Sequence, residues 1–202
     1  GHIVQNPILI PKLIDYPSIQ NGVYKWCCIG RIQLVDKGQD LLLRVLSQEK
    51  WKQRPLIVDI IGSGPDREAL ESLSKYLDVR NVRFVGYAND RVAMWKNYHA
   101  LISPSRCEGL PLTIMEAMKA GRMVITTEAG GSAEVIEEGC TGFVSYVHEA
   151  SLDEAMEKAW AARDKWKDMG LAAHTWVMNN CSSQPEREFI NLLESYLCKE
   201  SR

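Results

Sequence analysis

Short, compact apolar runs alternate along this chain with amphipathic stretches. Residues 23–29 (VYKWCCI) read as a strand that ends at Gly30, and residues 38–47 carry leucines at helical spacing. The apolar run at 56–61 has the composition of a strand buried on both faces. Gly62-Ser63-Gly64 then turns into a helix predicted over 65–77, with Pro65 near its first turn. The alternation continues with a strand at 82–85, a helix capped by Asn89 or Asp90 and running to about Asn97, and a strand at 99–102. A helix over 111–119 closes at Gly121, a strand covers 124–126, a short helix at 132–137 ends at Gly139, and Phe143 and Val144 finish the strand series. This β-α-β-α order predicts an α/β fold: a Rossmann-like parallel sheet with helices on both faces.

The flanks differ from this pattern. Asn6-Pro7, Pro11, Pro17 and Asn21-Gly22 punctuate residues 1–22, which read as an extended linker. The Gly1-His2 start reads as an expression scar or an internal cut. The tail, residues 151–202, is helical. Ser151-Leu152-Asp153-Glu154 reads as a capping box opening a helix to about Met169, with Gly170 as its stop and a shorter helix after it. Ser183-Gln184-Pro185-Glu186 opens a last helix with Phe189, Leu192, Leu193, Tyr196 and Leu197 on one face.

Composition narrows the function classes. The 202 residues suffice for one domain with a full core. A formal net charge of -2 argues against coating nucleic acid or anionic lipid by bulk attraction, so no nucleic-acid partner is expected. The six cysteines form no C-x-x-C pair and read as buried or half-buried free thiols of a reducing compartment; adjacent Cys27 and Cys28 are expected on opposite faces of their strand. The four histidines make no ligand pattern, so no metal is expected. No apolar stretch is long enough to span a bilayer, and no signal peptide is visible.

Candidate chemistry gathers where strands give way to helices. Arg31 and Lys37 flank the loop after the first strand, where ligands of doubly wound sheets sit, and two cations there suit a pyrophosphate. On spacing alone they fit solvated loop charges equally well. In Glu108-Gly109-Leu110-Pro111-Leu112-Thr113-Ile114-Met115-Glu116, seven residues separate a loop glutamate from a helical one. Helix-start N–H groups favour phosphate oxygens, and a carboxylate one to two turns in can accept from a vicinal diol; an exposed pair of glutamates is the alternative. Val85, Gly86 and Tyr87 end a strand at the same rim and could receive a planar base, or form a plain turn. Gly62-Ser63-Gly64 lacks the third glycine of a dinucleotide site, since Arg67 stands there, and reads as a tight turn. Gly130-Gly131 could bring N–H groups toward a phosphate or simply turn the chain.

In order and spacing these elements form a specific set: Gly30-Arg31 with Lys37-Gly38, Gly62-x-Gly64-Pro65, Phe84-x-Gly86, Pro104-Ser105-x-x-Glu108-Gly109-x-Pro111, Glu116-Ala117-Met118, and Gly130-Gly131-x-x-Glu134 followed by Gly139-x-x-Gly142. The set resembles the C-terminal domain of the retaining GT-B glycosyltransferases of family four. Met123 stands where that family often has proline, a structural position.

The resemblance implies one lobe of a GT-B glycosyltransferase: an interlobe linker at 1–22, a nucleotide-sugar-binding domain at 23–150, and C-terminal helices at 151–202 packing on it. It implies Arg31 and Lys37 on the donor diphosphate, Glu116 on the ribose, Glu108 on the transferred sugar, and the backbone of Gly109, Leu110 and Leu112 near phosphate and sugar. Val85 to Tyr87 would receive the base. Arg31, Lys37 and Glu108 are the catalytic candidates, and no general base is assigned. The partner implied is a nucleotide-diphosphate sugar, a UDP-sugar first and a GDP-sugar second by family frequency, as a substrate and without cofactor or metal. An N-terminal acceptor-binding lobe would be missing, so the full-length enzyme would be a hexosyltransferase of polysaccharide biosynthesis and this chain inactive. It would be cytoplasmic, with any contact to the inner face of a membrane made through the missing lobe. Two rivals share the donor site, a non-catalytic nucleotide-sugar-binding module and a sugar-nucleotide epimerase; a Rossmann oxidoreductase would need the absent third glycine.

Overall fold

The computed structural model describes residues 6–8, 12–109 and 111–200, the last four of them by backbone alone. Pro11, Leu110 and the side chain of Leu197, all named above, lie outside the described residues.

The strands are β1 (Tyr24–Ile29), β2 (Leu56–Ile61), β3 (Val82–Gly86), β4 (Ala100–Ser103), β5 (Met123–Thr127) and β6 (Gly142–Ser145). They form one sheet of order β3-β2-β1-β4-β5-β6, every neighbouring pair parallel. Chain order therefore runs outward from β1 in one direction and from β4 in the other. The helices that follow β1 and β4 lie on opposite faces of the sheet, α2 (Gln39–Leu46) on one and α6 (Leu112–Lys119) on the other, and the carboxyl ends of strands at such a switch point are where doubly wound sheets place ligands.

Each face of the sheet has its own core. Trp26, Cys28, Val58, Ile60, Ile102 and Ile125 pack on one side with α2 (Gln39–Leu46) and α7 (Glu149–Ala161). Cys27, Ile61, Leu101 and Val124 pack on the other with α5 (Arg91–Trp95), α6 (Leu112–Lys119) and α8 (Trp166–Asn180). Cys27 and Cys28 thus face opposite cores, as strand alternation requires. Burial pushes the Cys28 thiol up to about 12 and Cys27 upward as well, so both stay protonated and unreactive. Cys107 and Cys140 correct the expectation that the thiols are buried or half-buried: both are exposed, in the loops after β4 and before β6.

Three further sequence expectations need correction. Gly170 does not stop a helix. The break is a 3-10 turn at Arg163–Lys165, and α8 runs through Gly170. A Cβ at Gly170 would stand 2.1 Å from the Gly121 carbonyl oxygen, so this glycine permits close helix-to-loop packing. The helix assigned to Ser151 starts earlier, at Glu149, with His148 as N-cap; its Nδ1 accepts from the Ser151 N–H at 3.2 Å. The stretch between Gly30 and Gly38 is not all loop, since it holds the single turn α1 (Leu34–Lys37). The remaining helices are α3 (Glu49–Lys52), α4 (Arg67–Tyr76) and α9 (Pro185–Glu200).

Candidate functional site

The site forms at the crevice between β1 and β4. The α1 turn is tied down from both sides. Asp66 accepts from the Leu34 N–H at 2.8 Å, the N–H groups of Arg106 and Cys107 both donate to the Asp36 carbonyl, and Arg106 makes a two-pronged pair with Asp40 at 2.6 and 2.8 Å. Gly38, in the left-handed region at φ 59°, lies so close to Pro104 that a Cβ would fall 2.0 Å from its carbonyl oxygen. The loop after β1 and the loop after β4 therefore form one block.

Inside that block Lys37 meets Glu108. Nζ lies 2.6 Å from Oε1, and the carboxylate side chain is only 10% exposed. The buried Ser105 hydroxyl donates to the same oxygen at 2.7 Å, and the Thr127 hydroxyl donates to the Ser105 carbonyl. Sequence reasoning placed Ser105 in the motif but gave it no role, although it stands three residues before Glu108 and its hydroxyl fixes that carboxylate. Gly130 packs on the backbone of Glu108, and the Gly131 N–H donates to the Gly109 carbonyl at 2.7 Å. That N–H is thus taken, and the turn reading of Gly130-Gly131 is the one that fits it.

Next to this block lies a cavity of about 270 Å³ lined by, among others, Gly30, Arg31, Ser63, Tyr87, Arg91 and Thr113. Arg31 is exposed, and its Nη1 reaches only Gln33 Oε1 at 3.5 Å, so its guanidinium is largely uncommitted. Its backbone is fixed by Gln39, whose side-chain amide donates to the Arg31 carbonyl at 2.8 Å. Tyr87 is 69% exposed on the rim and Val85 52% exposed, while Gly86 takes φ 83° and turns the chain between them. Gly62-Ser63-Gly64 packs against the β1 loop: a Cβ at Gly62 or Gly64 would strike the carbonyl of Gly30 or Ile32. These glycines thus allow close approach to the β1 loop, a demand beyond the strand-to-helix turn that the sequence suggested.

The helix α6 starts at Leu112, 40% exposed, behind Pro111 as N-cap, whose carbonyl receives the Ile114 N–H at 3.0 Å. One turn further in, Glu116 is 4% exposed. Burial raises its carboxyl above the usual carboxylate range, and the positive charge of Arg91 opposes that rise. The structure thus brings Arg31, Lys37, Gly86, Tyr87, Glu108, Gly109, Leu112 and Glu116 to one rim. The sequence reading missed Arg91. The sequence shows only a cation directly after the Asp90 N-cap, at a helix start where the dipole disfavours it, and nothing in it points to Glu116.

The family of this chain is decided by a match of residues 24–162 to the family model of glycosyl transferases group 1. The chain belongs to that family. Among curated relatives, this glycosyl transferase is 31% identical over 166 residues to the GDP-mannose-dependent alpha-(1-6)-phosphatidylinositol monomannoside mannosyltransferase of Mycobacterium tuberculosis, covering 74% of this chain and 42% of that protein. It is 34% identical over 111 residues to the Vi polysaccharide biosynthesis protein VipC/TviE of Salmonella typhi, covering 54% of this chain and 19% of that one. Among solved structures, a point mutant of S. aureus TarM in complex with UDP, fondaparinux and alpha-GlcNAc-glycerol superposes with a TM-score of 0.83 at 19% identity, over 95% of this chain and 39% of that one. HepE of Anabaena in complex with UDP-glucose gives 0.75 at 19% identity, over 86% and 49%. At such identities the structural likeness establishes the fold, that of GT-B glycosyltransferases. The chain spans less than half the length of these curated relatives.

Among the described residues, no helix is long and apolar enough to cross a membrane, and no group of three acidic, cysteine or histidine residues is placed to hold a metal ion.

Proposed function

We propose that this glycosyl transferase chain binds the nucleotide-diphosphate sugar of a retaining sugar transfer, as the donor-binding half of a longer enzyme. The observation that carries the reading is the meeting of Lys37 with Glu108 at the β1–β4 crevice, with Arg31 on the wall of the adjoining cavity. In the reaction the bond between the anomeric carbon and the diphosphate breaks, an acceptor oxygen bonds to that carbon, and the hydroxyl proton passes to the departing diphosphate or to solvent. Negative charge grows on the departing diphosphate. Arg31, Lys37 and the first N–H groups of α6 would stabilise it, which lowers the barrier because these groups are already oriented. Glu108 would accept from hydroxyls of the transferred sugar, and Glu116 from the ribose. Val85, Gly86 and Tyr87 would border the base, with Gly109, Leu110 and Leu112 offering backbone to phosphate and sugar.

The 202-residue chain would be organised as an interlobe linker (1–22), a donor domain (23–150) and C-terminal helices (151–202). The acceptor would be held by an N-terminal lobe. The last helix is consistent with such a partner: Phe189, Ile190 and Leu193 on α9 are 46–53% exposed. The donor's base is open, since one structural neighbour is solved with UDP-glucose and one relative is named GDP-mannose-dependent. UDP-sugars are the first choice and GDP-sugars the second, in polysaccharide biosynthesis, with no cofactor. A melting-temperature panel of both nucleoside diphosphates and their sugars separates them, because a bound ligand stabilises by mass action.

The direct test is calorimetry with the diphosphate that wins the panel. Arg31→Ala is expected to weaken binding about tenfold or more, since a charge-assisted hydrogen bond contributes roughly 1.5–3 kcal/mol. Lys37→Ala should act in the same direction, and the nucleoside without phosphates should not distinguish the variants. Equal diphosphate affinity in all three proteins would sink the reading.

A further inference from the structure

Half-buried Arg91 and buried Glu116 hold polar capacity that the protein itself does not use. Glu116 Oε2 and Arg91 Nη1 are each shut off from solvent, and neither has a hydrogen-bond partner. They stand 3.6 Å apart, attracted by charge but too far for a direct hydrogen bond. A buried acceptor and a buried donor left empty are costly, and native structures keep few of them. Both are held by their backbones, Arg91 as the first residue of α5 and Glu116 in the middle of α6. Arg91 also lines the 270 Å³ cavity, beside Tyr87 and Thr113.

A group that fills both vacancies must donate to a carboxylate and accept from a guanidinium at once. A hydroxyl does this with one oxygen: its proton goes to Glu116 Oε2 and a lone pair receives the Arg91 N–H. A phosphate oxygen has no proton to give and would be repelled by Glu116. An amino group of a base has no lone pair for Arg91. An arginine in the first turn of α5 also opposes the helix dipole, so helix stability does not account for it.

We propose that Arg91 is a specificity-determining residue which, with Glu116, receives the ribose hydroxyls of the donor nucleotide and so selects ribonucleotides. The inference rests on the donor-site reading above and adds a residue to it. Burial lifts the Glu116 carboxyl, and Arg91 counters that lift, which keeps an acceptor ready for the hydroxyl proton.

The test compares UDP or GDP, whichever the chain binds more tightly, with its 2′,3′-dideoxy counterpart by calorimetry. The wild type is expected to prefer the ribonucleotide at least tenfold. Arg91→Met should lose most of that preference, weakening the ribonucleotide about tenfold while leaving the dideoxy analogue within about twofold of wild type. Arg91→Lys, which keeps a cation on the same helix, should give an intermediate ratio and stands in if the methionine variant does not fold. The loss should persist from about pH 6 to about pH 8.5; recovery at the high end would mean that Arg91 serves only to keep Glu116 ionised, and would overturn the proposal. Binding without ribose preference in the wild type, or an unchanged ratio in both variants, overturns it and leaves the donor site standing. If neither diphosphate binds the wild type, the donor-site reading falls and this inference with it.

Discussion

Arg122→Met is expected to lower the melting temperature by roughly 6–20 °C, the equivalent of about 3–5 kcal/mol in a chain of this size. Arg122 is fully buried, and its guanidinium donates to the carbonyls of Ile14 and Asp15 from the entering segment, Trp95 and Tyr98 from the end of α5 and the turn after it, and Ala120 and Gly121 beside it. Burial pushes it down to about 10, still far enough above neutrality for the group to be charged at pH 7. The ring of Tyr16 covers it at 5.2 Å. Methionine keeps much of the stem but removes every one of these donors; the Ala120 carbonyl keeps the Ile14 N–H at 3.3 Å, and each carbonyl left unpaired costs about 1–3 kcal/mol before relaxation. The entering segment should also loosen, so that protease cleavage between residues 12 and 23 becomes faster. Melting within 2 °C of wild type, at an unchanged cleavage rate, would show that the carbonyls find other donors and that Arg122 is not the tie.

Arg122 also shows where sequence stops being informative. An arginine between Gly121 and Met123 looks like any surface cation. Only folding reveals that residues 14–15, 95–98 and 120–121 converge on it. The strands are different, because their signal is local. A run such as Leu56–Ile61 must be buried somewhere, and the adjacent Cys27 and Cys28 must face opposite ways. Glycines fall between these cases. Gly121, at φ 79°, ended its helix as read, because a left-handed position is a local demand. Gly170 was misread as a stop because its demand is tertiary: it needs room for the Gly121 carbonyl.

The candidate site follows the same division. Glu108, Glu116, Arg31 and Lys37 stand at recognisable spacing within two short segments, and the sheet order then gathers them. Arg91 needed topology. It belongs to the crossover from β3 at the sheet edge to β4 at the centre, and this path carries residue 91 over to residue 116. Ser105 was within reach of a closer reading, as a small hydroxyl residue three positions before Glu108 in a loop held by Thr127. A sequence also does not tell that Lys37 is already paired with Glu108 before any ligand arrives. Diphosphate binding at Lys37 therefore competes with that pair, and Lys37→Ala should cost less than the full value of a charged contact.

The largest expected effect concerns turnover. The 202-residue chain should bind its donor sugar nucleotide yet transfer sugar several orders of magnitude more slowly than a full-length relative. The donor contacts proposed here all fall between Arg31 and Glu116, on the rim of one sheet. Transfer also requires an acceptor hydroxyl held close to the anomeric carbon and in line with it. Orienting two reactants lowers a barrier by about 7–11 kcal/mol, or about 10⁵- to 10⁸-fold in rate. No residue of this rim is assigned to that task, and the curated relatives are more than twice as long as the stretch matched. No residue of this rim is assigned to positioning water either, so donor hydrolysis should be slow as well. The measurement is release of free nucleoside diphosphate from the winning donor, with and without candidate acceptors, alongside a full-length relative. Binding without release is the expected result. Turnover close to that of the relative would mean that the acceptor site lies within these residues, and the assignment of this chain as a donor half would have to be abandoned.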